Sequence, residues 1–582
     1  MRIEQIFKYP VKGLAGVEMQ NAMLRPESGL DGDRRRAITL GKPNTSKIGD
    51  WAECGTFERL TINPSLALWK VDSQNGQDTI TSPQGTAFSA SSSTRLTHGS
   101  FSDQARVVES QKGFWDHRDA QISIINLNTL AEIERVTGVQ IDRRRFRANI
   151  YVRAEPWSEF AWLGQVLKAQ EPKLYVLRPT DRCRATSVNP DSSELDTNIP
   201  ALLLRHYGHH YCGVYAKVIK GGTIRQDSNF VLQNHEPNQH MTQAAIQPTA
   251  PTPSDWPRLA MVKDVFEETK DTRSIWLQDT AMMQDLELPF FAGMHIKTHN
   301  IKSSGVWRSY SVSKYENRLI RLTVKRQSGL GSNAIHQLNI GDKVLISGPF
   351  GDMRLDPKAT AYTFVTAGIG ITPIIPMLAS LRDDSRKIQV FHSVTSQTSL
   401  ALWDEVLEHA TNQHNTALHL FITEKLSSYA LSGNRMDPTA IAKGVAQDGS
   451  FVVVCGPESF QQSVLRELKK QDIPESRIVT EKFVSPLSTK AINSATNYSA
   501  HQVRLNKTDV QGIWQRSDQS LLDFVERHGV NIQSQCRAGV CGSCKVRLLE
   551  GSVLCLSSGE KKNSEVILTC CSVPLSNVIL TC

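Results

Sequence analysis

The sequence has no run approaching the ~20 consecutive apolar residues that a membrane-crossing helix needs. Its first residues, MRIEQIFKYPVKGLAG, carry no apolar signal-peptide core. A cytoplasmic protein with no membrane partner is therefore expected. An excess of one charge is also missing: 66 Lys+Arg against 58 Asp+Glu leave +8 with His neutral. Such a balance permits a phosphate-bearing ligand and does not demand nucleic acid. No basic stripe interleaved with aromatics occurs, so nucleic acid is not an expected partner. Internal repeats are absent. With 40% hydrophobic and 21% charged residues, disorder, collagen and small disulfide scaffolds are excluded. The 582 residues exceed what one core holds, since single cores stop growing near ~250–300 residues, and predict about three to five domains.

Two stretches poor in charge and periodicity read as linkers, 233–257 (QNHEPNQHMTQAAIQPTAPTPSDWP) and 486–500 (PLSTKAINSATNYSA). They divide the chain into blocks 1–232, 258–485 and 501–582. In the first block, short partly alternating segments such as QISIIN and KLYVL predict strands. The middle block changes character near residue 358. Before it, RLIRLTVKR and KVLISGP predict antiparallel strands; after it, YTFVTA, KIQVFHSV, ALHLFIT and SFVVVCG are near-continuous apolar runs separated by helical stretches. That alternation predicts a parallel α/β sheet over 358–485.

Most of the eleven cysteines lie beyond residue 535. In a large chain without a signal segment this predicts metal binding rather than disulfides. Cys536, Cys541 and Cys544 are spaced C-x4-C-x2-C in QCRAGVCGSC, and Cys570 and Cys571 follow in ILTCCSVP. A zinc ribbon would need a second closely spaced pair; C-x4-C-x2-C with a distant fourth cysteine is the plant-type 2Fe–2S spacing. Gly539 and Gly542 let the loop wrap closely enough for backbone N–H groups to face the sulfurs. Spacing alone leaves Cys570 and Cys571 both open as the fourth ligand. The block resembles plant-type ferredoxins, with an α+β (β-grasp) fold and a fourth ligand at an L-x-C strand end before a proline. Leu568-Thr569-Cys570 matches, so the resemblance implies ligands Cys536, Cys541, Cys544 and Cys570, with Cys555 and Cys582 as bystanders. Nine Lys/Arg against seven Asp/Glu in 501–582 are not the acidic surface of a freely diffusing carrier and suit a tethered one.

In the middle block, Arg308-Ser309-Tyr310-Ser311 offers a guanidinium for phosphate, a phenol to cover a ring and a hydroxyl. Gly329-x-x-Ser332 offers a loop and helix start for pyrophosphate. Thr366-Ala367-Gly368-Ile369-Gly370-Ile371-Thr372-Pro373 follows the strand YTFV as a glycine-rich turn, with Pro373 where a dinucleotide fingerprint has its third glycine. Cys455-Gly456-Pro457 and Glu481-Lys482-Phe483 complete the series. R-x-Y-S, G-x-x-S, G-x-G-x-x-P, C-G-P and a terminal E-x-F, in that order, resemble the ferredoxin–NADP⁺ reductase superfamily. The resemblance implies an antiparallel flavin-binding β-barrel over 258–357 and a nicotinamide domain over 358–485. It places Arg308 on the flavin pyrophosphate, Tyr310 against the ring, Ser311 near its N5, and Gly329 and Ser332 on phosphate. Gly368, Gly370, Thr372 and Cys455 would line the nicotinamide side. FAD is expected over FMN, which a related oxygenase-reductase class uses with the same module order. Where many relatives carry an arginine for a 2′-phosphate, this chain reads His392-Ser393-Val394-Thr395-Ser396; NADH is therefore expected over NADPH.

The first block holds Lys12 in YPVKGL, GLDGDRRR at 29–36, RRRFRANIYV at 143–152, and Cys183 between Arg182 and Arg184. Flanking cations predict a thiolate, and a thiolate near phosphate-binding groups suits a soft-metal cofactor carrying a phosphate. Read alone, Arg34–Arg36 and Arg143–Arg145 are equally solvated charge. YPVK…GL-x-x-DR…FR-x-N-I…RC-x-x-T-x-V-x-P resembles the MOSC family with its N-terminal barrel, which includes the amidoxime-reducing component and relatives that detoxify N-hydroxylated bases. This implies β-barrel-rich domains over 1–232. Cys183 would be the catalytic ligand of molybdenum, and Lys12, Arg34, Arg147 and Asn149 would hold molybdopterin. Gly13 stands where relatives often have Ser, and Ala148 where they usually have Pro. Cys54, Cys212 and His209–His210 are expected to be structural or neutral.

Together these readings describe a multidomain NAD(P)H-dependent iron–sulfur flavoprotein. The resemblances imply a relay from NADH or NADPH through FAD and a 2Fe–2S cluster to the molybdenum cofactor. It would reduce a small N-hydroxylated substrate with no separate electron-transfer partner. Two rivals remain: an electron-donor component for a separate oxygenase or reductase with the MOSC block as docking module, and a sulfur carrier with a persulfide at Cys183.

Overall fold

The computed structural model describes residues 1–41, 51–74, 77–233, 256–279, 290–351, 353–424 and 435–481. In the C-terminal block it describes 500–508, 510–515, 518, 520–528, 530, 532, 544–556, 561–563 and 565–582. Most of the two linker stretches, Lys482-Phe483, Cys536 and Cys541 lie outside these residues. The chain forms two compact units. One combines Met1–Thr249 with Pro486–Cys582; the other is Ala250–Ser485.

The N-terminal part of the first unit is a β-rich half-barrel built on an eight-stranded sheet. Its central strand, Ile122–Asn126, is buried at every position, as expected of ISIIN covered on both faces. It runs parallel to Ile150–Arg153 and antiparallel to Tyr211–Lys220. Asn126 then caps the helix Leu127–Thr137 by accepting from Asn128 N–H, and Gly138, in the left-handed region, ends it. Strand Lys173–Asp181 pairs antiparallel with Tyr211–Lys220 and delivers the chain to Cys183. A separate core of Val11, Ile38, Leu66, Trp69 and Val107 supports the outer strands.

The C-terminal part has a mixed five-stranded sheet, a three-stranded sheet and the helix Leu521–Arg527. Ser520 caps that helix through Asp523 N–H. Leu521, Leu522, Phe524 and Val525 enter one core with Cys544, Cys570 and Cys571.

The second unit begins with a closed six-stranded antiparallel barrel, from Arg258–Thr269 to Lys343–Phe350. Five parallel strands follow in the spatial order Thr416–Ile422, Lys387–Val394, Ala361–Ala367, Phe451–Cys455, Ile478–Thr480. Phe451–Cys455 is buried throughout, which explains its unbroken apolar run. Arg321 of the barrel donates to both carboxylate oxygens of Glu405, on the helix Trp403–Asn412 of the parallel domain, at 2.7 and 3.0 Å. No helix among the described residues is long and apolar enough to cross a membrane.

Barrel closure rests on a buried ion pair. Arg258 donates through Nε to Asp279 at 2.8 Å and through Nη2 to the Gly348 carbonyl at 2.5 Å; its side chain is 2% exposed and that of Asp279 0%. Removing one member strands the other charge in a dry site. Arg258→Met is expected to lower the unfolding free energy of the barrel by about 3–5 kcal/mol, read by denaturant titration of the full chain.

Candidate functional site

Arg182 fixes the geometry around Cys183. Its Nε donates to the Cys212 carbonyl at 2.7 Å and its Nη1 to the Phe146 carbonyl at 3.2 Å. Arg184 turns elsewhere and pairs with Glu526. The two flanking arginines therefore do not hold Cys183 as a thiolate: crowding by protein pushes its thiol up to about 11. This corrects the expectation from sequence, where adjacency stood in for proximity. The turn after Cys183 is closed by Thr186, whose hydroxyl donates to the Cys183 carbonyl at 2.8 Å, which gives R-C-x-x-T its spacing.

Cys183 lines a cavity of about 990 Å³, together with Lys12, Arg34, Arg147 and Asn149. Arg34 and Arg147 both have left-handed backbones, with φ of 48° and 52°, and their guanidinium carbons lie 4.8 and 4.4 Å from the ring centre of buried Tyr9. Such conformations are rare for residues with a Cβ; here they aim two cations at one ring. Arg34 is satisfied by buried Asp33 and by the Arg147 carbonyl at 3.0 Å. Lys12 Nζ donates to Asp116 at 2.6 Å and to the Phe114 carbonyl at 2.9 Å. Against the effect of burial, Lys12 and Arg34 hold the Asp116 carboxyl far below the usual carboxylate range. Asn149 is committed to the protein: its Oδ1 accepts from Ser123 N–H at 3.2 Å and its Nδ2 donates to the Phe7 carbonyl at 3.3 Å. The Arg147 guanidinium makes no hydrogen bond to any described residue, and burial pulls its pKa down. Of the predicted set, it is the cation left facing the cavity without an acceptor.

Cys54, read from sequence as neutral, also lines the cavity; its thiol donates to Asp116 at 3.3 Å, and burial followed by Asp116 pushes it up to about 11. His210 lines the cavity too. Both departures from the resemblance have local causes. Gly13 has φ +91°, and a Cβ there would stand 3.2 Å from Leu66 Cδ1. The Ala148 N–H donates to the Tyr151 hydroxyl at 3.2 Å, a bond proline cannot make.

In the second unit, Ser311 is buried and donates to Glu481 Oε2 at 2.9 Å, while Cys455 Sγ lies 4.0 Å from the same oxygen. Glu481 was quoted from sequence only as part of E-x-F; its place beside Ser311 was not legible because 170 residues separate them. Arg308 donates to the Trp307 carbonyl at 2.7 Å, and burial lowers its pKa. Burial raises the Tyr310 phenol. A Cβ on Gly331 would stand 2.6 Å from Arg308 Cγ, whereas one on Gly329 would meet nothing within 4 Å. Gly331, not singled out from the sequence, is thus the glycine that lets the helix Leu330–Ile335 lie against Arg308. Ser332 spends its hydroxyl on the Gln327 and Gly329 carbonyls. Thr372 donates to the Ile369 carbonyl at 3.0 Å. Gly368 has φ +53°, and a Cβ on Gly370 would stand 2.5 Å from the Cys455 carbonyl oxygen, so the two predicted turns meet backbone to backbone. His392 is buried, bonded to Thr366 Oγ1 at 2.8 Å and stacked on Trp403; burial lowers it to about 4.

In the C-terminal block, Cys544 and Cys570 are buried and adjacent. A hydrogen bond with Cys570 pulls the Cys544 thiol below its ordinary range. The Cys544 carbonyl accepts from Thr569 N–H at 3.2 Å and from its hydroxyl at 3.1 Å. Cys571 Sγ lies 3.8 Å from Cys555 Sγ. No group of three or more metal-ligating side chains occurs among the described residues, which do not include Cys536 and Cys541.

Four family models match the chain: a MOSC domain over 98–231, an oxidoreductase FAD-binding domain over 260–355, an oxidoreductase NAD-binding domain over 364–466 and a 2Fe-2S iron-sulfur cluster binding domain over 510–575. Tetrachlorobenzoquinone reductase of Sphingobium chlorophenolicum is 28% identical over 298 residues, 49% of this chain and 86% of that protein. The structure of phthalate dioxygenase reductase, described as modular for electron transfer from pyridine nucleotides to [2Fe-2S], has TM-score 0.36 and 23% identity, covering 56% of this chain and 97% of that one. An intact type IV self-sufficient cytochrome P450 monooxygenase gives TM-score 0.41 and 23% identity over 65% of this chain, which spans about half, 47%, of its length.

Burial holds Glu481 up at about 7, against the Ser311 hydrogen bond. A carboxyl raised in the fold stabilises it fully below the ordinary carboxylate range, and that stability is lost as pH rises through about 7. Protection of Phe451–Cys455 against hydrogen exchange is therefore expected to fall from pH 5 to pH 7, by at most about 1.4 kcal/mol per pH unit. Exchange compared with Glu481→Gln, which should lack this fall, checks it. The chain is a NAD(P)H-dependent flavin and iron–sulfur electron-transfer oxidoreductase in which a reductase module and a 2Fe–2S ferredoxin domain are fused to a MOSC domain.

Proposed function

We propose that the chain is a self-contained reductase of small N-hydroxylated compounds, with a molybdenum cofactor seated in the Cys183 cavity. The net reaction is R–NHOH + NAD(P)H + H⁺ → R–NH₂ + NAD(P)⁺ + H₂O, in which the N–O bond breaks and the nicotinamide is oxidised. The observation that carries this reading is the cavity itself. A thiol and a guanidinium with no hydrogen-bond acceptor among the described residues share one cavity of about 990 Å³, large enough for a cofactor with a phosphate. Cys183 would supply the sulfur ligand and Arg147 the phosphate contact, with Arg34 and Lys12 adding positive potential from behind their carboxylate partners. Asn149 acts as a positioning residue, since its amide secures the strand pair beside Arg34. When bound, the molybdenum cofactor would supply the two-electron reduction that the chain's own side chains cannot.

In the C-terminal block, the contact of Cys570 with Cys544 supports Cys570 over Cys571 as the fourth cluster ligand. In the second unit, Ser311 and Cys455 meet at Glu481, the junction where a nicotinamide and a flavin ring would stack. The domains are read as 1–232, 258–357, 358–485 and 501–582, and the fusion removes the need for a separate electron-transfer partner.

Isolated chain from a host that makes molybdopterin is expected to contain molybdenum by elemental analysis and to oxidise NADH when given an N-hydroxylated base. Cys183→Ala should abolish that turnover while leaving NADH-driven ferricyanide reduction intact. Persistence of N-hydroxy reduction in Cys183→Ala overturns the reading.

Nicotinamide choice follows from Thr395–Ser399, a stretch of hydroxyls and one amide with no cation. A charge-assisted bond to a 2′-phosphate is worth about 1.5–3 kcal/mol, so its lack predicts kcat/KM for NADH over NADPH of about tenfold or more. Steady-state kinetics with both donors measures it.

A further inference from the structure

We propose that the helix Leu521–Arg527, with Val530 and Ile532, forms a docking seat that holds the ferredoxin domain on the Cys183 cavity, with Arg184–Glu526 as its polar contact. The inference rests on the reading of that cavity as the place of reduction, and it names the acceptor of the ferredoxin domain as the MOSC block of the same chain.

Arg184 directly follows Cys183. Its Nη1 lies 3.0 Å from Glu526 Oε1, and the two side chains are only 14% and 16% exposed. Most exposed pairs, such as Arg2–Asp227 at 58% and 73%, are screened by water and contribute little. A pair largely withdrawn from water must stay matched, because either charge alone would be stranded. It therefore fixes register and orientation between the two blocks.

Val530 and Ile532 line the cavity together with Glu526. The ferredoxin domain is thus one wall of the cavity that contains Cys183. On its other side the same helix packs against the turn Thr569–Cys571, which carries Cys570, and against the strand Ser572–Pro574. Leu521, Phe524 and Val525 share a core with Cys544 and Cys570. One short helix thus touches the cysteine pocket through its apolar face and reaches the residue beside Cys183 through Glu526. A tether alone supplies effective concentration; this helix supplies orientation as well.

Per substrate, two electrons originating from NAD(P)H cross this seat one at a time: R–NHOH + 2e⁻ + 2H⁺ → R–NH₂ + H₂O. Reversing one charge should open the seat, and reversing both should close it again.

The test uses the full chain with three variants: Glu526→Arg, Glu526→Gln, and Arg184→Glu combined with Glu526→Arg. The first readout needs no loaded cofactor. Hydrogen exchange at 184–187 and 521–527 should accelerate together in Glu526→Arg and recover in the double reversal. The second readout is NADH-driven N-hydroxy reduction. It should fall about tenfold or more in Glu526→Arg, less in Glu526→Gln, and return to within about threefold of wild type in the double reversal. Ferricyanide reduction by NADH should be unchanged in Glu526→Arg and Glu526→Gln. If Glu526→Arg and Glu526→Gln leave both exchange and N-hydroxy turnover at wild-type values, or if the double reversal restores neither, the docking seat is overturned. A wild-type chain without molybdenum or N-hydroxy turnover would instead sink the functional reading, and exchange would still decide whether the seat exists.

Discussion

Arg182 is the interaction on which the N-terminal site depends. Its backbone N–H donates to His210 and its guanidinium to the carbonyls of Cys212 and Phe146, and its guanidinium lies over the Phe146 ring at 5.2 Å. One cation thus joins the end of strand Lys173–Asp181, the start of strand Tyr211–Lys220 and the turn Arg143–Phe146. Cys183 follows the first of these and Arg147 the last, so both reach the cavity from backbone that Arg182 has already fixed. Gly213 makes room for it: its φ is +75°, and a Cβ would stand 2.4 Å from the Ile124 carbonyl and 3.2 Å from Arg182 Nη2. A cation saturated by carbonyls is costly to desolvate and well defined in geometry. Here that geometry is spent on position.

The same logic sorts the other cations. Lys12 and Arg34 each have a carboxylate, Asp116 and Asp33, so they present positive potential through a neutralised pair. The Arg147 guanidinium has no hydrogen-bond acceptor among the described residues and leans on the Tyr9 ring. An anion entering the cavity would meet one guanidinium that has no acceptor among the described residues, backed by two cations already paired with carboxylates. This graded arrangement avoids three uncompensated charges lining one cavity, each of which would add a desolvation cost.

Motifs whose chemistry is local were readable in the sequence. The apolar runs of the parallel sheet, the glycine turn at 368–370 and the C-x4-C-x2-C spacing all express constraints within a few residues. What failed was inference from sequence neighbours to spatial ones. Arg182 and Arg184 flank Cys183 in the chain but are engaged elsewhere, Arg182 by the Cys212 and Phe146 carbonyls and Arg184, which opens the turn Arg184–Ser187, by Glu526. Glu481 and Gly331 were passed over for the opposite reason: their roles exist only against Ser311 and Arg308, which the fold brings to them. Asn149 lines the cavity as expected of it, and its amide also bonds Ser123 N–H and the Phe7 carbonyl, partners that only the strand pairing brings to it.

The first unit is assembled from both ends of the chain, with the flavin–nicotinamide unit of 250–485 inserted between them. Closing a loop that contains a folded domain is less costly than its length suggests, because loop entropy grows only with the logarithm of length and a folded insert with its own core is already ordered. The arrangement has a physical consequence for electron transfer. If the MOSC cavity is the acceptor, as proposed, a ferredoxin domain built into the same compact unit needs no encounter to reach it, and diffusional search is removed from that step. On that proposal the orientation of the two partners is set by Arg184, Glu526, Val530 and Ile532. A carrier that meets its acceptor within one folded unit has no need of the strong surface field that steers a diffusing one.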